Sequence, residues 1–152
     1  MITIEITTHC DEIPVDPSKL ETLIRTVCER FGVVEATVSV GIVGDVEISE
    51  LNEKFLDHEG PTDCLSFDLS DAQAAGGARV FDCIVNGQMA LRQAAARGHA
   101  DQAELALYVT HGLLHQLGFD DTTPGEAEKM HRMEDEILQH LGYGFVYNGG
   151  PR

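Results

Sequence analysis

No apolar run in these 152 residues approaches the ~20 needed to cross a bilayer, which excludes a membrane-spanning helix. The opening MITIEITTHCDE has no basic start, no long apolar middle and no small-residue cleavage site, so it does not resemble a secretory leader. Cys-x-x-Cys is absent. Cys10, Cys28, Cys64 and Cys83 lie far apart, which argues against a zinc ribbon or a dithiol redox motif and for reduced, mostly buried thiols. Basic residues are scarce, 10 Lys plus Arg against 26 Asp plus Glu, for a formal charge of -16. That field argues against strong, indiscriminate binding to a phosphate backbone, so any nucleic-acid contact must be local, held by a metal ion or a few clustered cations. The expectation is a soluble cytoplasmic protein with no membrane partner, its acidic surface keeping it in solution.

What is there is periodic. MITIEIT alternates Ile2, Ile4 and Ile6 with polar residues, the period of a half-buried strand. Asp16 as cap and Pro17 in the first turn open a helix whose Leu20, Leu23, Ile24, Val27 and Phe31 recur at helical spacing until Gly32. ATVSVGIVG reads as a second strand, rich in β-branched residues and ending at Gly44. A helix from about Asp45 to Leu56 follows, with Ile48, Leu51 and Phe55 on one face, and then the turn EGPTD. CLSFDLS and RVFDCIVN pair as a hairpin across the loop DAQAAGGA. From Gly87 the period is helical. One segment reaches about Gly98, and a second starts at about Asp101 with Glu104 at capping-box spacing. A third, opened by Thr123, Pro124 and Glu126, runs to Gly142 on Met130, Met133, Ile137, Leu138 and Leu141. Those methionines read as core filler. The expected architecture is one α/β (α+β) domain over residues 1–152, a mixed sheet of about four strands packed with about five helices, with a flexible tail from about 146.

The stretch THGLLHQLGFDD, Thr110 to Asp121, carries the chemistry. On a helix of ~3.6 residues per turn, positions i and i+4 share a face and lie ~6 Å apart along the axis, so His111 and His115 can converge on one ion. Gly118 lets the chain leave the helix in a left-handed conformation and turn back, which brings Asp121 within reach. Two histidines at this spacing also arise by chance in a chain with seven; the glycine turn and the acid after it favour a site. Asp120 competes as third ligand, but spacing favours Asp121 and leaves Asp120 to orient a histidine. One divalent ion is expected, with zinc ahead of iron. With a coordination position open it would lower the pKa of bound water from 15.7 toward ~7 or polarise a phosphoryl or carbonyl oxygen.

HGLLHQLGFDD resembles the signature of the YbeY endoribonucleases, H-G-x-L-H-L-x-G-Y-D-H, through His111, Gly112, Leu114, His115, Gly118 and Asp120, with Phe119 in the tyrosine position. LNEKFLDHEGPTDCLSF is similar to a second family stretch through Leu51, Asn52, Pro61, Thr62, Asp63, Leu65, Ser66 and Phe67. FDCIVN, through Asp82 and Ile84, and MHRMEDEIL add to the likeness, which covers nearly the whole chain. The resemblance implies a metal-dependent, single-strand-specific endoribonuclease acting on ribosomal RNA, in its maturation and in ribosome quality control. The ribosome or its proteins are then partners, and DNA is not expected as a substrate. Two positions depart: Asp121 stands where the family has a third histidine, and Leu56 where it has an arginine, which removes a cationic phosphate contact.

In that reading His111, His115 and Asp120 are the catalytic candidates, and Thr62, Ser66 and Lys54 the substrate-binding ones. Asp63 joins Asp120 as a candidate base. Each has a plainer alternative: Thr62 and Asp63 can cap a turn, and Ser66 can bond a strand neighbour. Arg79, Arg92 and Arg97 line a phosphate path or are solvated surface. A metallopeptidase is a second hypothesis, since the ligand spacing is that of metzincins, but their glutamate base is Gly112 here. A third is a non-catalytic ribosome-associated protein with a structural metal, which a closed four-ligand site would support and an open one would oppose.

Overall fold

The computed structural model describes residues 1–70 and 78–144. The expected hairpin loop, but for its last residue, and the expected tail lie outside them. Nine elements follow in order: β1 (Ile2–Thr8), α1 (Pro17–Arg30), β2 (Ala36–Val43), α2 (Asp45–Leu56), β3 (Cys64–Asp68), β4 (Arg79–Asn86), α3 (Gly87–Arg97), α4 (Asp101–Gln116) and α5 (Pro124–His140). The four strands make one mixed sheet in the order β1-β2-β4-β3, matching the fold class read from the sequence. β1 and β4 both pair parallel to β2, while β3 runs antiparallel along β4 with Ser66 opposite Cys83.

Local chemistry accounts for the helix starts. Asp16 accepts from the Lys19 N–H at 3.3 Å, and Pro17 occupies the first turn, where its missing N–H costs nothing. Thr123 does the same for α5, its hydroxyl accepting from the Glu126 N–H at 3.2 Å and donating to the Glu126 carboxylate at 3.1 Å. The capping box expected at Asp101 and Glu104 does not form. α4 is capped by Ala100 without a side-chain bond, and Glu104 is fully buried and bonded elsewhere. A capping glutamate must lie at the surface, and the burial of this helix takes Glu104 away from that role.

The two faces of the sheet are unequal. Val38, Val40 and Ile42 of β2 and Phe81, Cys83 and Val85 of β4 join α1, α4 and α5 in the main core. On the other face a small cluster of Val43, Ile48 and Leu65, backed by Leu51, Phe67 and Ile84, seats α2. α4 is the central helix, with eleven buried residues of its 16. Gly112 lies where it meets β3 and β4: a Cβ there would come 2.7 Å from Cys83 Sγ and 2.8 Å from Cys64 Sγ. Only hydrogen fits at that contact. The two thiols touch at 3.5 Å, and all four cysteines are free, as expected.

Candidate metal centre and cleft

α4 presents His111 and His115 from one face, and Gly118, at φ 103, reverses the chain so that Asp121 returns to them. His111 Nε2 and His115 Nε2 lie 3.1 Å apart, and Asp121 Oδ2 is 3.7 Å from the first and 3.8 Å from the second. A tetrahedral ion bonded at ~2.0 to 2.1 Å holds its ligands roughly 3.3 Å apart, so the triangle has the size such an ion requires. Two imidazole nitrogens facing each other at this distance also need a proton or a cation between their lone pairs. Among the described residues the group has three members, all within 4.8 Å of one another. Side-chain exposures of 19% for His111, 31% for His115 and 39% for Asp121 leave it open to solvent on one side.

Glu134 of α5 stands behind the group. Fully buried, it brings Oε2 to 2.6 Å from His111 Nδ1 and Oε1 to 2.7 Å from His131 Nδ1. A buried carboxylate there keeps the His111 proton on Nδ1 and turns the Nε2 lone pair toward Asp121. Burial works against a charged His111, but the bond to Glu134 and the nearby charges of Glu134, Asp63 and Asp121 outweigh it and raise its pKa. The His111 and His131 rings stack with centroids 6.4 Å apart.

The remaining candidates divide. Asp120 turns to its own loop, accepting from the Asp121 N–H at 2.7 Å, and the carboxylate that hydrogen-bonds a histidine of the group is Glu134. Thr62 and Asp63 line a cleft of about 360 Å³ together with His111, His131, Glu134 and Arg97. The Thr62 hydroxyl donates to Asp63 Oδ1 at 3.3 Å. Ser66 lies beneath α4, its Cβ 3.6 Å from where a Gly112 side chain would begin. Lys54 sits over the Phe55 ring at 5.3 Å. Arg92 is closed by a two-pronged pair with Asp45, at 2.7 and 3.0 Å, and Arg79 reaches Asp68 and the Gln116 carbonyl. The sequence did not mark Glu104, Glu134 or His131 as residues of the site. Two of them carried a signal, being acids set within otherwise apolar helix faces.

The family model for Endoribonuclease YbeY matches residues 5–142. Endoribonuclease YbeY of Corynebacterium diphtheriae is 40% identical over 114 residues, covering 69% of this chain and 57% of that protein, so the chain spans little more than half of that relative's length. Endoribonuclease YbeY of Thermobifida fusca is 32% identical over 133 residues, covering 83% and 86%. The solution structure of TM1509 from Thermotoga maritima is similar in fold, with a TM-score of 0.59, 26% identity and 91% of each chain covered.

Proposed function

The chain belongs to the YbeY endoribonuclease family, and from that premise we propose that it is a metal-dependent endoribonuclease cutting single-stranded RNA at the cleft beside His111, His115 and Asp121. The observation that carries the reading is the open set of three ligand atoms within 4.8 Å. His111 Nε2, His115 Nε2 and Asp121 Oδ2 would hold one divalent ion, with zinc favoured by the two imidazoles and the size of the triangle. The bound ion supplies Lewis acidity at a phosphodiester. Glu134 holds the Nδ1 proton of His111 and fixes the ring; Thr62 lines the cleft as a hydroxyl donor. Asp63, in the same cleft, is the carboxylate we assign to take up a proton. Asp120 steadies the loop that carries Asp121. We further infer that the substrate is ribosomal RNA, met at the ribosome in the cytoplasm, a reading supported by family membership and by the absence, among the described residues, of a helix long and apolar enough to cross a membrane.

Two alternatives are weaker. A structural metal needs a fourth protein ligand, and among the described residues the group has three. Peptide hydrolysis of the metzincin kind needs a glutamate at position 112, and the sulfur atoms 2.7 and 2.8 Å from a Cβ there leave no room for one.

The test is metal content together with cleavage of a labelled single-stranded RNA, wild type against His115→Ala. Stoichiometric metal and cleavage in the wild type, both lost in the variant, are expected. Bound metal with no cleavage by either protein would move the non-catalytic role ahead, and a wild type that retains no divalent ion would overturn the metal centre.

A further inference from the structure

We propose that Arg97 anchors a second phosphate of the RNA, next to the one held at the metal centre, and that Glu104 is the positioning residue that aims it; this rests on the ribonuclease reading above. α3 ends on Arg97, and the chain then turns through Gly98 into α4, which returns Glu104 to the end of α3. Arg97 Nη1 donates to both Glu104 oxygens, at 3.1 and 3.5 Å, and His99 Nε2 lies 2.5 Å from Oε1. The Tyr108 hydroxyl is a third partner; burial and the Glu104 charge push its pKa up, so it keeps its proton and donates. A carboxylate removed from water is costly unless it is paired, and here three side chains satisfy one acid.

What this device fixes is a guanidinium. Arg97 uses only Nη1 in these bonds. Among the described residues none is bonded to its Nη2 or Nε, while the side chain is 26% exposed and lines the same cleft as His111. Two other arginines are differently disposed: Arg92 is closed by Asp45 and is 53% exposed, Arg79 is bonded through Nη2 to Asp68 and the Gln116 carbonyl, and neither lines that cleft. A planar fork of N–H donors held in one geometry suits phosphate oxygens. In a molecule of net charge -16 a phosphate needs such a fixed local cation. The geometry points to a neighbouring phosphate rather than the one being cut: the backbones of Glu104, which mounts the guanidinium, and His111 are seven positions apart on α4, a rise of about 10 Å at 1.5 Å per residue.

The test uses the metal-loaded full chain and a 5′-labelled ten-nucleotide single-stranded RNA in which one linkage at a time, other than the one cut, is an uncharged methylphosphonate. In the wild type, one flanking linkage should raise KM about ten- to hundredfold when its charge is removed, as expected for a hydrogen bond to a charged group. Arg97→Ala should show that rise on the all-phosphate RNA with kcat little changed, should be indifferent to methylphosphonate at that linkage alone, and should lose about 0.7 from the slope of log affinity against log salt. Arg97→Lys should recover part of the affinity. Should Arg97→Ala fail to fold, Glu104→Gln, which keeps the cation but loosens its mount, should lose sensitivity at the same linkage. A wild type that cuts the RNA while these variants keep its full position-specific sensitivity overturns this inference alone; a wild type that cuts no RNA overturns the ribonuclease reading and this with it.

Discussion

Glu134 is one residue serving two histidines. Its oxygens hold His111 and His131 at 2.6 and 2.7 Å, so replacing the carboxylate by an amide removes the charge that fixes the His111 ring. Glu134→Gln is expected to weaken metal binding about ten- to hundredfold, read by competition with a chromophoric chelator; unchanged affinity would show that the ring is held by other means. Gly112 is constrained by space. Alanine gains about 1 kcal/mol of helix preference over glycine, but its Cβ must displace two buried sulfur atoms, so Gly112→Ala is expected to destabilise by a net 1 to 2 kcal/mol or roughly that. The urea midpoint should fall, and removing one sulfur with Cys64→Ala should recover part of the loss; a midpoint that rises would mean the sulfurs rotate away freely. His111, His115 and Asp121 could be read from the sequence because a helix and one turn bring them together. Glu134 and His131 could not, because they arrive on a different helix and only tertiary packing makes them neighbours. Glu104 and Glu134 left a faint trace as acids among Ala103, Leu105 and Leu107 and among Met130, Ile137 and Leu138.

Element boundaries were largely legible, since caps and apolar periods are local. Asp16, Pro17, Thr123 and Pro124 mark starts that the structure keeps. The failure at Asp101 and Glu104 has the opposite origin: the spacing was right, but packing against Arg97, His99 and Tyr108 claimed the glutamate. Nor did sequence reveal how α2 is tied to α3. Asp45, in the first turn of α2, accepts from Arg92 at 2.7 and 3.0 Å and from the Asn86 amide at 2.7 Å, bonds that hold its carboxyl below the ordinary 3.8. A depressed acid stabilises the fold fully above its unfolded pKa, and that contribution is lost as pH falls through the lower, folded value. Urea unfolding should therefore show wild type more stable than Asp45→Asn at pH 6, with the gap closing as the pH drops below about 3.8. A gap that stays constant would place the difference in packing.

For the whole molecule, four strands and five helices could be counted from pattern, but the order β1-β2-β4-β3 could not, because parallel pairing joins strands distant in sequence. The unequal faces were equally hidden: the same β-branched runs serve a deep core on one side and a single helix on the other. The proposed metal ligands are the reverse case, all three falling between His111 and Asp121. So short a segment remains a chelating peptide when the fold is lost, since closing a small loop costs little entropy. The unfolded chain therefore competes with the native one for the ion, and metal binding raises the melting temperature by less than the native affinity alone implies.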